Sequence, residues 1–226
     1  MIRRLVRATV LLGLALVALS VLWAGVLRWF NPPTTWVILR DRAQGLEVTH
    51  RPVPLAAISP NMVRAVIAAE DSGFCTHRGF DVEAIEAAKA ETAAGRRLRG
   101  GSTISQQTAK NIFLWHERTW LRKGLEAWFT ILIEGLWGKP RIMEMYLNHI
   151  EFAPGVWGVE AAAAHHFGTT AARLTANQAA RLAVVLPQPS VRNAGRPGPF
   201  VRRFSGTIER RMAVVRREGL DACVLG

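Results

Sequence analysis

Ser59-Pro60-Asn61-Met62-Val63-Arg64-Ala65-Val66-Ile67-Ala68-Ala69-Glu70-Asp71 is the stretch whose reading sets the fold. Ser59 suits an N-cap, and Pro60 suits the first helical position, where its missing N–H is no loss. Met62, Val63, Val66 and Ile67 fall at helical spacing, so the segment predicts a helix that buries one face and delivers Glu70 at its C-terminal end. Ser72-Gly73-Phe74-Cys75-Thr76-His77-Arg78-Gly79 follows with no helical or strand period. It reads as a tight turn before Asp81 caps a second helix that Gly95 closes.

Helical signals continue outward from there. Thr103 and Gln106 have capping-box spacing for a third helix, and Arg96-Arg97-Leu98-Arg99-Gly100-Gly101 before it reads as a basic loop. The longest helical run is Thr119 to Trp137, stopped by Gly138 and Pro140. Leu121, Leu125, Trp128, Leu132 and Leu136 form its apolar stripe, while Arg122, Glu126, Thr130 and Glu134 follow i, i+4 steps on another face. Further helices are expected at Pro140–Asn148, Gly158–Phe167, Thr175–Leu186 and Phe200–Glu218. Thr34 to Pro54, which mixes β-branched residues with Gly and Pro, is expected as an extended connector or short hairpin. The fold class is mainly α.

Ahead of the connector, Ala8 to Leu27 holds no charged residue for 20 positions, enough helix to cross a hydrocarbon core of roughly 30 Å. Arg3, Arg4 and Arg7 precede it, which places the N-terminus in the cytoplasm and the remainder outside. A cleaved signal peptide is the rival reading, but Leu22-Trp23 makes a poor small-residue cleavage site. The expected organisation is a cytoplasmic N-terminus and transmembrane anchor at 1–30, a connector at 31–58 and a single domain at 59–226. Lys and Arg number 29 against 17 Asp and Glu, for a net charge of +12. Such a surplus favours nucleic acid, anionic lipid or phosphorylated substrates and does not choose among them. Cys75 and Cys223 are the only cysteines, so one disulfide is open and no metal-like spacing exists. His149, His165 and His166 have no metal-ligand spacing either.

Glu70 and Glu126 stand in different settings. Glu70-Asp71 precedes the turn carrying Phe74, His77 and Gly79, and Glu126 follows Arg122-Lys123. Read alone, Glu70-Asp71 is a solvated acidic pair and His77 a hydrogen-bonding strut in the turn. Together, two carboxylates set among basic and amide side chains are what glycosyl transfer needs, one group handling a hydroxyl proton while others meet an anionic leaving group. Gly100-Gly101-Ser102-Thr103 lacks the Gly-Lys-Ser/Thr ending of a nucleotide P-loop. Its glycines still let backbone N–H groups approach an anion, and Lys110, Arg118, Arg122 and Lys123 follow closely enough to surround a pyrophosphate. The alternative is a solvated basic face plus a capping box.

These segments resemble the peptidoglycan glycosyltransferases with a lysozyme-like fold, most closely the monofunctional biosynthetic peptidoglycan transglycosylases. The resemblance runs from about Ser59 to Pro189. It rests on Glu70-Asp71-x-x-Phe74-x-x-His77-x-Gly79; Gly101 to Gln107 with Lys110-Asn111; Arg118-x-x-x-Arg122-Lys123-x-x-Glu126; and Tyr146-Leu147-Asn148 through Phe167-Gly168. It implies a lysozyme-like α-helical glycosyltransferase domain that polymerises lipid II, an undecaprenyl-pyrophosphate disaccharide-pentapeptide, into β-1,4 glycan strands with inversion. Glu70 would be the general base on the acceptor 4-hydroxyl. Glu126, with Lys110, Arg118, Arg122 and Lys123, would orient and stabilise the departing pyrophosphate, and Asp71, Phe74, Ser102 and Gln106 would complete the substrate site. Residues 80–101 would match a mobile, partly membrane-dipping lobe. The implied partners are lipid II, the growing glycan, membrane lipids and other cell-wall synthesis and division proteins, with no nucleic acid. The resemblance fixes no cofactor and is compatible with a divalent cation, Mg or Mn.

This sequence departs from the family at Ser105, which replaces a common Thr, at Ala153-Pro154, which replaces a Gly-containing turn, at His166, which replaces a frequent Tyr, and at Cys75 in the catalytic turn. No Ser-x-x-Lys occurs, so a penicillin-reactive serine is not expected. A lysozyme-like glycan-cleaving enzyme would share the fold and an essential Glu, but its neutral leaving group needs no cationic cluster. A basic membrane-anchored scaffold or nucleic-acid binder accounts for the charge and not for the ordered acids.

Overall fold

The computed structural model describes residues 1–93, 101–115, 117 and 119–226. Gly95, Arg96, Arg97, Arg99 and Arg118, which carry expectations above, lie outside the described residues. The chain is mainly helical. The N-terminal apolar helix α1 (Ile2–Leu27) is followed by α2 (Trp36–Ala43), the short strand β1 (Thr49–His50) and a 3-10 turn at Leu55–Ala57. Then come α3 (Pro60–Glu70), α4 (Val82–Ala93), α5 (Ile104–Phe113), α6 (Trp120–Leu136) and α7 (Lys139–His149). A hairpin of β2 (Glu151–Ala153) and β3 (Val156–Trp157) leads to α8 (Val159–Phe167), a 3-10 turn at Ala171–Arg173, α9 (Ala176–Val185), α10 (Pro199–Arg217) and α11 (Ala222–Leu225).

The caps expected at Ser59, Asp81 and Thr103 form, and Thr119 and Thr175 add two more. Ser59 accepts from the Asn61 N–H at the start of α3, and complete capping boxes open α5 at Thr103 and α9 at Thr175. Thr119 caps α6 by accepting from the Arg122 N–H. Asp81 Oδ1 accepts from the Ala84 N–H at 2.8 Å, opening α4.

Met62, Val63, Val66 and Ile67 are fully buried, which makes α3 the central helix; it packs against α9 and α10. A second group forms where α5 packs on α6 and α7. One apolar core runs through both groups. Asn148, fully buried on α7, ties in the approach to α3: its Oδ1 accepts from the Val53 N–H at 2.9 Å and its Nδ2 donates to the Val53 carbonyl at 2.8 Å. The pair imitates a strand contact with a side chain.

Between Asn31 and Ile58 the chain is not simply extended. Val37 and Ile38 of α2 pack on Trp157, whose indole N–H donates to Asp41 Oδ2 at 3.1 Å. β1 pairs in parallel with β3, and β2 in antiparallel fashion with β3, in the order β1-β3-β2. The Ala153-Pro154 departure is absorbed by the next residue. Gly155 adopts φ +74°, and a Cβ there would lie 2.3 Å from the Glu47 carbonyl oxygen, so glycine is still what the turn requires.

Of α1, the last turns meet the domain. The indoles of Trp128 and Trp137 donate to Ser20 Oγ at 3.1 Å and to the Ala24 carbonyl at 2.7 Å, and Arg141 donates to the Leu27 carbonyl at 2.8 Å. The rest of the helix is exposed, and its length and mean hydropathy of 2.6 suit a bilayer span.

Candidate active site

The end of α3 is stapled to the start of α5. Asp71, the first residue beyond Glu70, accepts the Ile104 N–H on Oδ2 at 2.9 Å and meets His77 Nε2 through Oδ1 at 2.9 Å. Gly79 donates its N–H to His77 Nδ1 at 3.1 Å, so the ring proton sits on Nε2 and His77 donates to Asp71. Thr103 Oγ1 donates to the Gly79 carbonyl at 2.7 Å. Gly79 itself has φ +90°, and a Cβ there would approach Thr130 Cγ2 to 2.7 Å and Glu134 Cγ to 3.1 Å.

Held by this staple, Glu70 lines a cleft of about 400 Å³ together with Ser72, Asp81, Ser102, Gln107 and Arg211. Its Oε2 accepts from Gln107 Nε2 at 3.0 Å. Burial pushes the Glu70 carboxyl above the ordinary range; the Gln107 hydrogen bond pulls it back, the Asp71 charge pushes it up again, and Arg192 and Lys110 draw it down. Arg192 arrives from the segment between α9 and α10, where it donates to the Val184 carbonyl at 2.7 Å and lies 4.4 Å over the Phe200 ring. Tyr146 is buried nearby, and desolvation with the Glu70 and Asp71 charges keeps its phenol strongly protonated.

Glu126 is held differently. It is 4% exposed, and its Oε2 accepts from Arg122 Nη1 at 2.6 Å while Oε1 meets Lys123. Both carboxylate oxygens are therefore engaged by cations from the same helix. Further along that face, Glu134 Oε1 accepts from Ser105 Oγ at 2.5 Å and from Lys139 Nζ at 2.7 Å. Ser105 thus fills its place with the hydroxyl that a threonine would bring. The polar strip of α6 consequently faces inward, whereas the expected apolar stripe is only partly covered. Leu121 is 69% exposed, and Trp128 reaches α1.

Of the expected site residues, Glu70, Asp71 and Ser102 line the cleft, and Lys110 acts on Glu70 electrostatically. Arg122, Lys123 and Glu126 form one cluster on α6. Arg118 lies outside the described residues. Phe74 and Gln106 have other duties. Phe74 is fully buried beneath Lys139, whose ammonium lies 4.4 Å from the ring centre, leaving no face for a ligand. Gln106 spends its Oε1 on the Thr103 N–H at 3.0 Å. Its neighbour Gln107, with Arg192 and Tyr146, surrounds Glu70 instead.

The Transglycosylase family model matches residues 40–217. A biosynthetic peptidoglycan transglycosylase of Rhodospirillum centenum is 55% identical over 100% of this chain and 98% of its own length. Its counterpart in Caulobacter vibrioides is 50% identical, over 99% of this chain and 98% of its own length. That in Pseudomonas aeruginosa is 48% identical over 94% of each. The chain belongs to the transglycosylase family. It is a peptidoglycan glycosyltransferase with the mainly α, lysozyme-like fold of that family, and glycan cleavage is not the favoured reading.

Asp71, His77 and Asp81 bring ligand atoms within 4.8 Å of one another, the one such group among the described residues. They do not fit a resident cation as arranged. His77 Nε2 carries a proton, and both Asp71 oxygens already accept hydrogen bonds. The Asp71–His77 pair clamps the Glu70 turn, and Asp81 caps α4.

Proposed function

We propose that this transglycosylase polymerises lipid II into β-1,4-linked glycan strands with release of undecaprenyl diphosphate, Glu70 acting as general base. The reading is supported above all by the setting of Glu70: a carboxylate in an open cleft, raised in pKa by burial and held by one amide donor. A base of this kind accepts a proton more readily than an ordinary carboxylate. Glu126 is placed differently, with Arg122 and Lys123 occupying both its oxygens. Its role is to position those cations.

In the reaction, the acceptor 4-hydroxyl gives its proton to Glu70 as the oxygen attacks the anomeric carbon of the lipid-linked chain. The bond to pyrophosphate breaks on the opposite face, so the α-linked donor becomes a β-linkage. Lys110, Arg122 and Lys123 supply charge for the departing pyrophosphate, and Ser102 at the cleft rim supplies a hydroxyl. Asp71, Phe74 and Gln106 serve the framework.

The catalytic domain is assigned to the outer face of the inner membrane. Arg3, Arg4 and Arg7 favour a cytoplasmic N-terminus. The Cys75–Cys223 disulfide suits an oxidising compartment. Incubating the full chain with labelled lipid II tests the function: formation of polymer supports it, and an unchanged substrate pool or shortening of preformed glycan would refute it.

A further inference from the structure

A second, larger cavity of about 820 Å³ lies at the foot of the anchor, between the last turns of α1, the link into α2 and the C-terminal end of α5. Trp23, Leu27, Trp36, Leu39, Phe113 and Trp115 give it apolar walls. The walls are fixed in place: Trp23 packs edge-on against Phe113 with ring centres 5.1 Å apart, and Trp137 and Arg141 bond to the α1 backbone. Thr34 and Thr35 also line the cavity, and the hydroxyls of both are buried without a hydrogen-bond partner. Thr35 is 3% exposed. An apolar cavity containing unpartnered donors fits a hydrocarbon chain that ends in a hydrogen-bond acceptor.

We propose that this cavity holds one acyl chain of a bilayer phospholipid, with its ester carbonyl accepting from the Thr34 and Thr35 hydroxyls. The position argues for this occupant. The cavity continues from the exposed apolar surface of α1 at the helix end, the level at which bilayer hydrocarbon gives way to ester groups. Charge argues the same way. Glu117 is the one charged residue in the described lining, and an anion suits a neutral ester better than the phosphate that heads a polyprenyl chain. A bound lipid would complete the joint between anchor and domain and fix the depth at which the cleft rides. The proposal rests on α1 crossing the bilayer.

The test uses the full chain in vesicles of phosphatidylethanolamine that carry a photoactivatable diazirine midway along one acyl chain, with labelled residues mapped after irradiation. The expected result is label between Trp23 and Leu39 and between Ile112 and Trp115. It should fall several-fold in Val26→Trp, which fills the cavity, and in the nearly isosteric Thr35→Val, while label at Leu11–Leu16 on the exposed face of α1 stays constant in every variant. Equal cavity label in wild type and both variants would overturn the proposal. So would more effective displacement by unlabelled polyprenyl phosphate than by unlabelled phospholipid at equal mole fraction, because the occupant would then be a prenyl chain. Absence of label at Leu11–Leu16 would remove the bilayer span itself and the proposal with it.

Discussion

Glu70 and Glu126 are the same side chain in opposite electrostatic settings, and the difference lies in their neighbours. Gln107 donates to Glu70 and so favours its charged form, against burial and Asp71. Replacing Gln107 with Ala should therefore raise the Glu70 pKa, and the acid limb of the pH–rate profile should move to higher pH. An unmoved limb would show that Gln107 does not tune the base. His149 offers a separate pH test. It is fully desolvated, which lowers its pKa to about 4 from an ordinary 6.5. Between those values the unfolded chain binds a proton that the folded chain refuses, so stability is present near pH 7 and is lost on acidification. The contribution lost between pH 7 and 5 is about 2 kcal/mol. His149→Gln should flatten the thermal-unfolding pH dependence by that amount, leaving a smaller slope from His50 and His166, whose pKa values burial also lowers. At this scale the sequence was readable where chemistry follows chain order. Gln106 and Gln107 are adjacent and point about 100° apart on α5; spacing gives Gln106 to the cap, as observed, while the resemblance gave it to the substrate site in place of its neighbour, which bonds Glu70. Arg192 comes from a loop far along the chain and carries no local signal.

Among the elements, helices announced by a cap were legible: Ser59, Asp81 and Thr103 all cap as the sequence predicts. α2 was not, because Thr35 makes no side-chain cap bond and the helix is held by tertiary contacts of Val37, Ile38 and Asp41 with Trp157. The α6 stripe was located correctly but its burial was misread. Apolar period alone cannot distinguish a core face from one that packs on another helix or lies exposed, and the inward face here carries the buried Arg122, Glu126 and Thr130. Gly79 shows how tightly the site depends on such local geometry. Ala at this position should cost about 1–3 kcal/mol from positive φ and contact with Thr130 and Glu134. It should also lower turnover by displacing the Asp71–His77 clamp. Unchanged thermal unfolding and unchanged turnover would count against that dependence.

For the whole molecule, the two ends of the chain are tied to the catalytic machinery. α1 is bonded to α6 and α7 through Trp128, Trp137 and Arg141, so the direction of the N-terminal apolar helix is fixed relative to the cleft. At the other end, Cys223 is joined to Cys75 in the Glu70 turn across 148 residues of sequence, and Asp221 pairs with Arg64 of α3 at 2.7 Å. The disulfide could not be decided from two cysteines, because pairing depends on the fold bringing their Cα atoms to 5.5 Å. Its loss in Cys75→Ala/Cys223→Ala should lower stability by about 2–5 kcal/mol, read as the denaturant midpoint with and without reductant. A midpoint insensitive to both would mean that the bridge contributes nothing. The central claim is that Glu70 is the base. It is tested most directly by the initial rate of lipid II polymerisation by Glu70→Gln, measured beside that variant's affinity for a pyrophosphate-bearing substrate analogue. The account predicts a fall in rate of at least ~10²-fold with affinity nearly intact, and polymerisation within a few-fold of the unsubstituted enzyme would contradict it.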